Sequence, residues 1–283
     1  LHGGPGSGCS DSQKSIFNKK KHRVIFLDQR GSGRSTPKGS LNKNTTNYLI
    51  QDIDYIRSYL KIKKWFVVGG SWGSTLGIAY SQHFPNNISG IILRALFLGT
   101  KSEINWAFHQ AAKIFKPKLV YDLNKILQNS KNENPIYSLG SMLEEKNFTS
   151  KKIASFLWQE YESNLSSISS REHKLFEIIE KASKSSEKNI KLPNTPFMEW
   201  HYIKNNFFLE ENQLLRDKNK ITDIPIRIIQ GEYDLLCPPG NSYLFSNGLN
   251  ESKIYTVLKA GHYISDNGIK LRMKEAVNEI TNL

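Results

Sequence analysis

The sequence predicts an α/β fold in which a mostly parallel sheet is interrupted by a helical insertion. The first observation is that short apolar runs alternate with segments of helical periodicity in the first third of the chain. The runs at 24–27, 65–68 and 88–98 are typical of buried strands. Between them, 46–60 and 75–83 carry apolar residues near helical spacing. This alternation favours parallel pairing, because parallel strands need a crossover connection.

The second observation is a change of texture in the middle of the chain. From 101 to 222 the strand-like runs disappear, and apolar residues recur with a helical period over 102–115, 117–128, 150–165 and 171–183. The α/β pattern then returns in two strands and one amphipathic helix, at 224–229, 254–258 and 269–282. We therefore predict a core made of 1–100 and 223–283, with 101–222 as a helical cap, or lid.

Composition excludes several classes of protein. The 283 residues carry a net charge of +13, but the lysines are scattered and form no recognised nucleic-acid module, so we expect a solvated basic surface and no nucleic-acid partner. No run of 18 apolar residues exists, so we expect no membrane span. Two cysteines are too few for a disulfide framework, which favours a reducing compartment and a cytoplasmic location. The sequence leaves the oligomeric state open.

The strongest chemical signal is the segment GGSWG at 69–73, between a predicted strand and a predicted helix. This G-x-S-x-G pattern is typical of a nucleophile elbow, a tight turn that lifts Ser71 above the sheet edge. The pattern also occurs by chance in ordinary loops, but the flanking strand and helix favour catalysis. We therefore predict Ser71 as the nucleophile of an α/β-hydrolase.

A serine nucleophile needs a base and an orienting acid, and in this fold they follow in the order Ser, acid, His. Asp234 follows one late predicted strand and His262 follows the next. Each alone could be a turn cap or a surface-loop residue; their order and placement together favour a triad. Asp266 also lies near His262, but its position fits a loop cap better. Cys237 has no base beside it in the sequence, and we interpret it as a packing residue.

A glycine-rich segment at 2–6, HGGPG, resembles the oxyanion loop of such hydrolases. Adjacent glycines let backbone N–H groups approach a substrate oxygen. We predict that the amides of Gly4 and Trp72 form the oxyanion hole and that His2 is a structural loop residue. The alternative is an ordinary Gly/Pro turn.

Four sequence blocks indicate a particular family within this fold: HGGPG at 2–6, DQRGSGRS at 28–35, GGSWGS at 69–74 and GEYD at 231–234. Together they resemble the proline iminopeptidase, or prolyl aminopeptidase, family. The resemblance covers about 1–100 and 224–265, whereas the cap matches weakly. It implies removal of N-terminal proline from short peptides, with no metal and no organic cofactor.

The resemblance also implies two cap glutamates that hold the amino group of the substrate. Glu162 and Glu199 lie in settings similar to those of the family pair, although Trp200 stands where the family has asparagine. A charged partner in a partly dry site would favour a free amino terminus. Both could instead be solvated helix residues, and Glu160 is the rival of Glu162. Tyr161, Trp158, Trp200 and Phe207 could line a pocket for the pyrrolidine ring or form a helix–helix core.

The sequence starts at Leu1 inside the HGGPG block, without a methionine. In the family, strands precede this loop. We therefore expect that N-terminal strands are missing here and that neighbouring strands of the sheet face an unpaired gap.

Two other functions use the same fold. A carboxylesterase or lactonase would use the same triad without needing Glu162 or Glu199. A non-catalytic binding protein on the hydrolase fold usually lacks a triad member, and none is missing here.

Overall fold

The computed structural model of the chain describes residues 1–128, 133–169, 172–184 and 190–283. Its sheet has four parallel strands in the spatial order of the sequence. They are β1 (Trp65–Ser71), β2 (Ile88–Leu96), β3 (Ile226–Gly231) and β4 (Ser252–Val257). The predicted α/β class and the parallel pairing are therefore confirmed.

The inner strands are apolar on both faces because helices cover both sides of the sheet. Ile91 and Leu93 on β2 join the large core cluster, whereas Ile92 between them joins a second cluster on the other face. On β3, Ile228 and Ile229 divide in the same way. A continuous apolar run thus indicates a strand that is buried on both faces.

Thirteen α-helices lie within the described residues. They are α1 (Asp11–Lys14), α2 (Thr46–Tyr59), α3 (Trp72–His83), α4 (Lys101–Asn105), α5 (Ala112–Phe115), α6 (Pro117–Leu127), α7 (Pro135–Glu144), α8 (Phe148–Ser166), α9 (Leu175–Lys184), α10 (Asn194–Lys204), α11 (Gln213–Arg216), α12 (Pro239–Ser246) and α13 (Ile269–Ile280). A π-helical turn at Trp106–Ala111 joins α4 to α5, and 3₁₀ turns occur at Pro85–Asn87, Asn206–Phe208 and Lys218–Ile221. None of the described helices is long and apolar enough to cross a membrane.

Helices α3 and α13 cover opposite faces of the sheet. Helix α3 packs on β1 and β2 together with α2, and its residues Leu76 and Ile78 are fully buried. Helix α13 packs on the other face, with Met273, Ala276 and Val277 in the second cluster. The amphipathic helix predicted at the end of the chain is confirmed.

A helical insert, defined here as residues 101–221, lies between β2 and β3 in sequence. The four predicted helical stretches correspond to α4–α5 with the π turn, α6, α8 and α9. Helices α7 and α10 were not predicted. Helix α7 is short, begins with proline after the Asn134 cap and contains Gly140, so its helical signal is weak.

The predicted strand at 24–27 is wrong. This segment has no place in the sheet, and a cavity of about 570 Å³ is lined both by it and by 65–70 of β1. Apolar side chains give the run the composition of a strand, but a strand also needs a hydrogen-bonded neighbour. Here the cavity occupies the place where such a neighbour would lie.

Candidate active site

Ser71 occupies a strained turn between β1 and α3. Its backbone has φ 55° and ψ −126°, an unusual conformation for a residue other than glycine. The turn is so tight that a Cβ at Gly69 would lie 2.1 Å from the carbonyl oxygen of Gly73. The two outer glycines of the motif are therefore required by close backbone approach, and the turn has the form of a nucleophile elbow.

Asp234 and His262 meet at the same edge of the sheet. They lie on the loops after β3 and β4, and the Nδ1 atom of His262 is 3.0 Å from each carboxylate oxygen of Asp234. Asp234 also accepts the backbone N–H groups of Leu236 and Cys237, at 3.1 and 2.9 Å. Asp234 therefore both caps a turn and accepts a hydrogen bond from His262. These hydrogen bonds fix the carboxylate so that it orients the imidazole.

The Ser71 hydroxyl lies close enough to the thiol of Cys237 to oppose part of the rise in the pKa of that thiol. Among the described residues it shares no hydrogen bond with His262, as is common in unliganded sites, where catalytic contacts tighten only with substrate. Burial raises the pKa of the Cys237 thiol well above its ordinary value, so it stays protonated. Cys237 is 3% exposed, which fits the predicted packing role, but its contact with Ser71 was not predicted.

One group of potential metal ligands occurs within the described part of the chain: Asp234, Cys237 and His262, with ligand atoms within 4.8 Å of one another. A metal would need the thiolate and a free imidazole nitrogen. The raised pKa of the thiol opposes the first requirement, and the hydrogen bonds to Asp234 occupy Nδ1 of His262 and both carboxylate oxygens. The arrangement fits a triad better than a metal site.

The glycine-rich loop lies directly against the elbow. A Cβ at Gly3 would lie 2.8 Å from the Gly70 carbonyl oxygen and 3.2 Å from the Cβ of Ser71. Gly4 has φ +40°, a conformation that favours glycine. This approach brings the loop beside the nucleophile, where the predicted oxyanion hole of Gly4 and Trp72 would have to form.

His2 anchors this loop from inside the protein. Its Nε2 atom accepts the backbone N–H of Gln29 at 3.1 Å, and its carbonyl accepts the Gln29 side chain at 3.0 Å. Gln29 in turn accepts the indole N–H of Trp72 at 2.8 Å. His2 is 1% exposed, and burial lowers its pKa to about 4. The neutral ring therefore ties the loop to the DQRG block and the elbow, which supports the structural role predicted for it.

This burial predicts an acid-sensitive fold. The pKa of His2 falls from 6.5 to about 4 on folding, so the unfolded chain takes up the proton first as pH falls. The contribution of His2 is fully present above pH 6.5 and is lost toward pH 4, by about 3 kcal/mol in total. Urea unfolding at pH 7, 5 and 4 measures this loss.

The His2→Gln variant should lose stability at pH 7 and show a smaller loss between pH 7 and pH 4. The exposed His83 is the control, because its replacement by glutamine removes no buried ring. An equal acid sensitivity of the His2→Gln variant and the unaltered protein would contradict this prediction.

The helical insert brings Glu162 and Glu199 together. Glu162 lies on α8 and Glu199 on α10, and their carboxyl groups lie close enough to shift each other's pKa. Glu199 is 6% exposed, and its Oε1 atom would lie 3.2 Å from a Cβ at Gly4. Glu162 interacts electrostatically with His262. The carboxyl pair thus lies between the glycine loop and the histidine rather than in solvent.

Burial is the main reason that the pKa of both glutamates is raised, and for Glu199 the neighbouring Glu162 raises it further. Two carboxylates that lie so close repel each other, which favours the protonated form of one of them. The indole N–H of Trp158 donates to Glu199 Oε2 at 2.6 Å and opposes part of this shift. A cation placed at this pair would replace the proton of the protonated carboxyl group and relieve the repulsion.

The other residues predicted for this region have different roles. Glu160 lies outside the pair, because its carboxylate accepts the side chain of Asn164 and the backbone N–H of Lys174. Trp200 packs into the space left by Gly140 on α7, so the helix–helix alternative holds for it. Phe207 stacks on Trp72 at 5.9 Å and lies beside the elbow.

Sequence reasoning missed two contacts of this site. Trp158 was considered only as a pocket or core residue, yet it orients Glu199. Arg94 interrupts the apolar run at 88–98, and its guanidinium donates to the carbonyl of His262. The sequence could have indicated the contact of Arg94, because a lone arginine in a buried strand needs a partner.

Comparison with known proteins identifies the family of this chain. The model of the alpha/beta hydrolase fold matches residues 1–268. A probable proline iminopeptidase from Leptolyngbya boryana is 34% identical over 280 residues, which cover 98% of this chain and 84% of that protein. Proline iminopeptidases from Neisseria meningitidis and Arabidopsis thaliana are 32% and 31% identical, with 99% and 96% of this chain covered and 87% and 70% of theirs.

Solved structures share the fold at low sequence identity. An alpha/beta fold family hydrolase from Bacillus anthracis gives a TM-score of 0.62 at 18% identity, over 99% of this chain and 90% of that one. A hydrolase from Oleispira antarctica gives 0.59 at 17% identity, over 100% and 89%. The family match and the similarity to curated relatives along almost the whole chain agree with the elbow geometry. The chain therefore belongs to the proline iminopeptidase family of α/β-hydrolases.

Proposed function

We propose that this protein is a serine exopeptidase that releases N-terminal proline from short peptides. The observation that carries the proposal is the pair of buried Glu199 and half-buried Glu162 beside the glycine loop and His262. A general esterase has no use for two carboxyl groups that are withdrawn from water at a cost in stability. An exopeptidase needs them, because it must hold the charged secondary ammonium of the terminal proline and reject internal prolines. The names of the curated relatives support the same substrate.

The proposed reaction follows from the arrangement at the sheet edge. Ser71 attacks the carbonyl carbon of the terminal proline while His262 takes its proton. The oxyanion is stabilised by the amides of Gly4 and Trp72. His262 then protonates the leaving amine, and a water molecule activated by the same histidine hydrolyses the prolyl ester on Ser71. Asp234 orients the imidazole and stabilises its charged form, and every step uses groups of the chain itself.

We further propose that residues 101–222 act as a cap on a core made of 1–100 and 223–283. The cap supplies both glutamates from α8 and α10. Its α8 helix also reaches the histidine loop, where the His262 N–H donates to the Ser166 carbonyl at 3.4 Å. Asn194 at the start of α10 donates to the carbonyls of Gly6 and Gly31, at 3.0 Å each. The free state of Cys9 and Cys237 supports the proposed cytoplasmic location.

A pair of matched substrates tests this function. We expect prolyl naphthylamide to be cleaved and N-acetylprolyl naphthylamide to be cleaved at least about 10²-fold more slowly, because acylation removes the charge that the carboxyl pair binds. The measurement is kcat/KM for the two amides and for a simple neutral ester. Equal rates with the blocked and the free amine would overturn the aminopeptidase, and preferential ester cleavage would favour the carboxylesterase or lactonase. No turnover of any of the three would favour the non-catalytic binding protein.

A further inference from the structure

Arg94 is an arginine in the middle of an apolar strand. It lies on β2 between Leu93 and Ala95, which are almost fully buried. Burial lowers the pKa of the guanidinium, yet arginine remains charged at neutral pH. Arg94 is half-buried and also lines the cavity beside β1. A half-buried cation at this position is unfavourable unless it has partners, and the proposed reaction described so far makes no use of it.

The partners of Arg94 are the loops that carry the triad. Its Nη1 atom donates to the carbonyl oxygen of His262. Its guanidinium lies against Gly70 of the elbow, where a Cβ would be 2.8 Å from Nη2 and 2.9 Å from Nε. The carboxylates of Asp234 and Asp266 are close enough to interact with its charge. The planar guanidinium of Arg94 therefore contacts Gly70, the residue before the nucleophile, and the backbone of His262, the base. Its charge also acts on Asp234, the acid.

The other described restraints on the histidine loop hold atoms other than the His262 carbonyl; Ala260, for example, accepts the backbone N–H of Tyr233 at 2.8 Å. Gly261 donates its N–H to Asp266 at 2.8 Å, and His262 donates its N–H to Ser166 at 3.4 Å, a long contact with the helical insert. Arg94 is the side-chain donor to the His262 peptide within the described part of the chain. If this donor is lost, the peptide can rotate, and the imidazole loses its alignment between Asp234 and Ser71.

We propose that Arg94 is a positioning residue of the triad: it fixes the His262 peptide against the elbow. This inference rests on the proposed triad, but it does not depend on which acyl group Ser71 receives. The fixed peptide sets the direction of the imidazole, so that the ring can accept the serine proton.

The test compares Arg94→Met with Arg227→Met. Arg227 lies on the neighbouring strand β3, is 1% exposed and pairs with Glu279 near the opposite end of the strand from Asp234, so it is a matched buried arginine. We expect Arg94→Met to lower kcat by about 10²-fold with KM within about threefold, because misplacement of a catalytic group by about 1 Å has an effect of this size. Arg227→Met should lower the thermal midpoint while kcat stays within about threefold of the unaltered enzyme.

A conservative variant separates positioning from stability. Arg94→Lys keeps a positive charge at this place in β2, but an ammonium cannot reproduce the planar contacts of the guanidinium. We expect Arg94→Lys to recover kcat only in part, with KM within about threefold of the unaltered enzyme.

Three outcomes would overturn the proposal. The first is a folded Arg94→Met with kcat within threefold of the unaltered enzyme. The second is an equal loss of kcat in Arg94→Met and Arg227→Met, since that would indicate general destabilisation. The third is unchanged kcat in Arg94→Lys, which would contradict the role of the planar contacts. This variant decides the question if Arg94→Met does not fold. Full activity of Ser71→Ala would instead refute the triad itself, which is a separate result.

Discussion

Replacing Ser71 with alanine is expected to lower turnover of a prolyl amide by about 10⁵-fold, to the level supported by binding and the oxyanion hole alone. The strained φ of 55° places the side chain at the carboxyl end of β1, at the edge where Asp234 and His262 also meet. Alanine removes the attacking oxygen and leaves the turn and its glycine contacts intact. The fold should therefore survive, and kcat with prolyl naphthylamide measures the loss.

The matched control for this variant is Ser81→Ala. Ser81 is buried on α3, the helix that follows Ser71, and donates to the Gly77 carbonyl at 2.8 Å, and the described residues show no hydrogen bond between it and the triad. Its replacement should leave kcat within about twofold. Single replacements of Asp234 by asparagine and of His262 by alanine should lower kcat by about 10⁴-fold or more, and the losses should not add because the three groups act as one unit. Additive losses would indicate that the three residues work separately.

Replacing Glu199 with glutamine is expected to lower kcat/KM for prolyl naphthylamide by about 10²-fold, mainly through KM. The amide keeps the shape of the side chain and its contact with Trp158 but removes the negative charge that would balance the substrate ammonium. Glu162→Gln should act in the same direction, because both carboxyl groups share one buried site. Cleavage of a small neutral ester should change by less than about threefold, since an ester presents no cation.

Glu160→Gln is the control for the pair. Glu160 lies on the same helix as Glu162 but bonds to Asn164 and Lys174, away from the carboxyl pair. We expect kcat/KM to stay within about threefold in this variant. If Glu160→Gln weakens prolyl binding as much as Glu162→Gln does, the assignment of the pair is wrong. Unchanged kcat/KM in Glu199→Gln would remove Glu199 from the site.

Glu162 and Glu199 also predict the direction in which binding of the prolyl amide changes with pH. The pKa of both carboxyl groups is raised by burial and that of Glu199 also by Glu162, so a proton competes with the substrate ammonium. As pH falls through these raised values, KM for the prolyl amide should rise. In Glu199→Gln the rise should flatten because the second titrating group is gone.

Much of the fold was predictable because buried parallel strands have a strong local signature. Continuous apolar runs identified β1, β2, β3 and β4 within a few residues. The same rule failed at 24–27, because composition reports that a segment is apolar but not whether a neighbour pairs with it. Helices α7 and α10 were missed because their stability comes from packing in the helical insert rather than from a regular apolar period.

The sequence by itself determined the family, the elbow at Ser71 and the order of Asp234 and His262. These features rest on local backbone geometry and on residues next to strand ends, and parallel topology carries strand ends to one edge. Only the tertiary structure decided that Glu162 and Glu199 lie side by side, that Trp158 orients one of them, and that Arg94 reaches the His262 peptide. These contacts join residues far apart in sequence through side-chain packing. No periodicity or motif encodes them, because the partner of a buried charge is set by the fold and not by its neighbours along the chain.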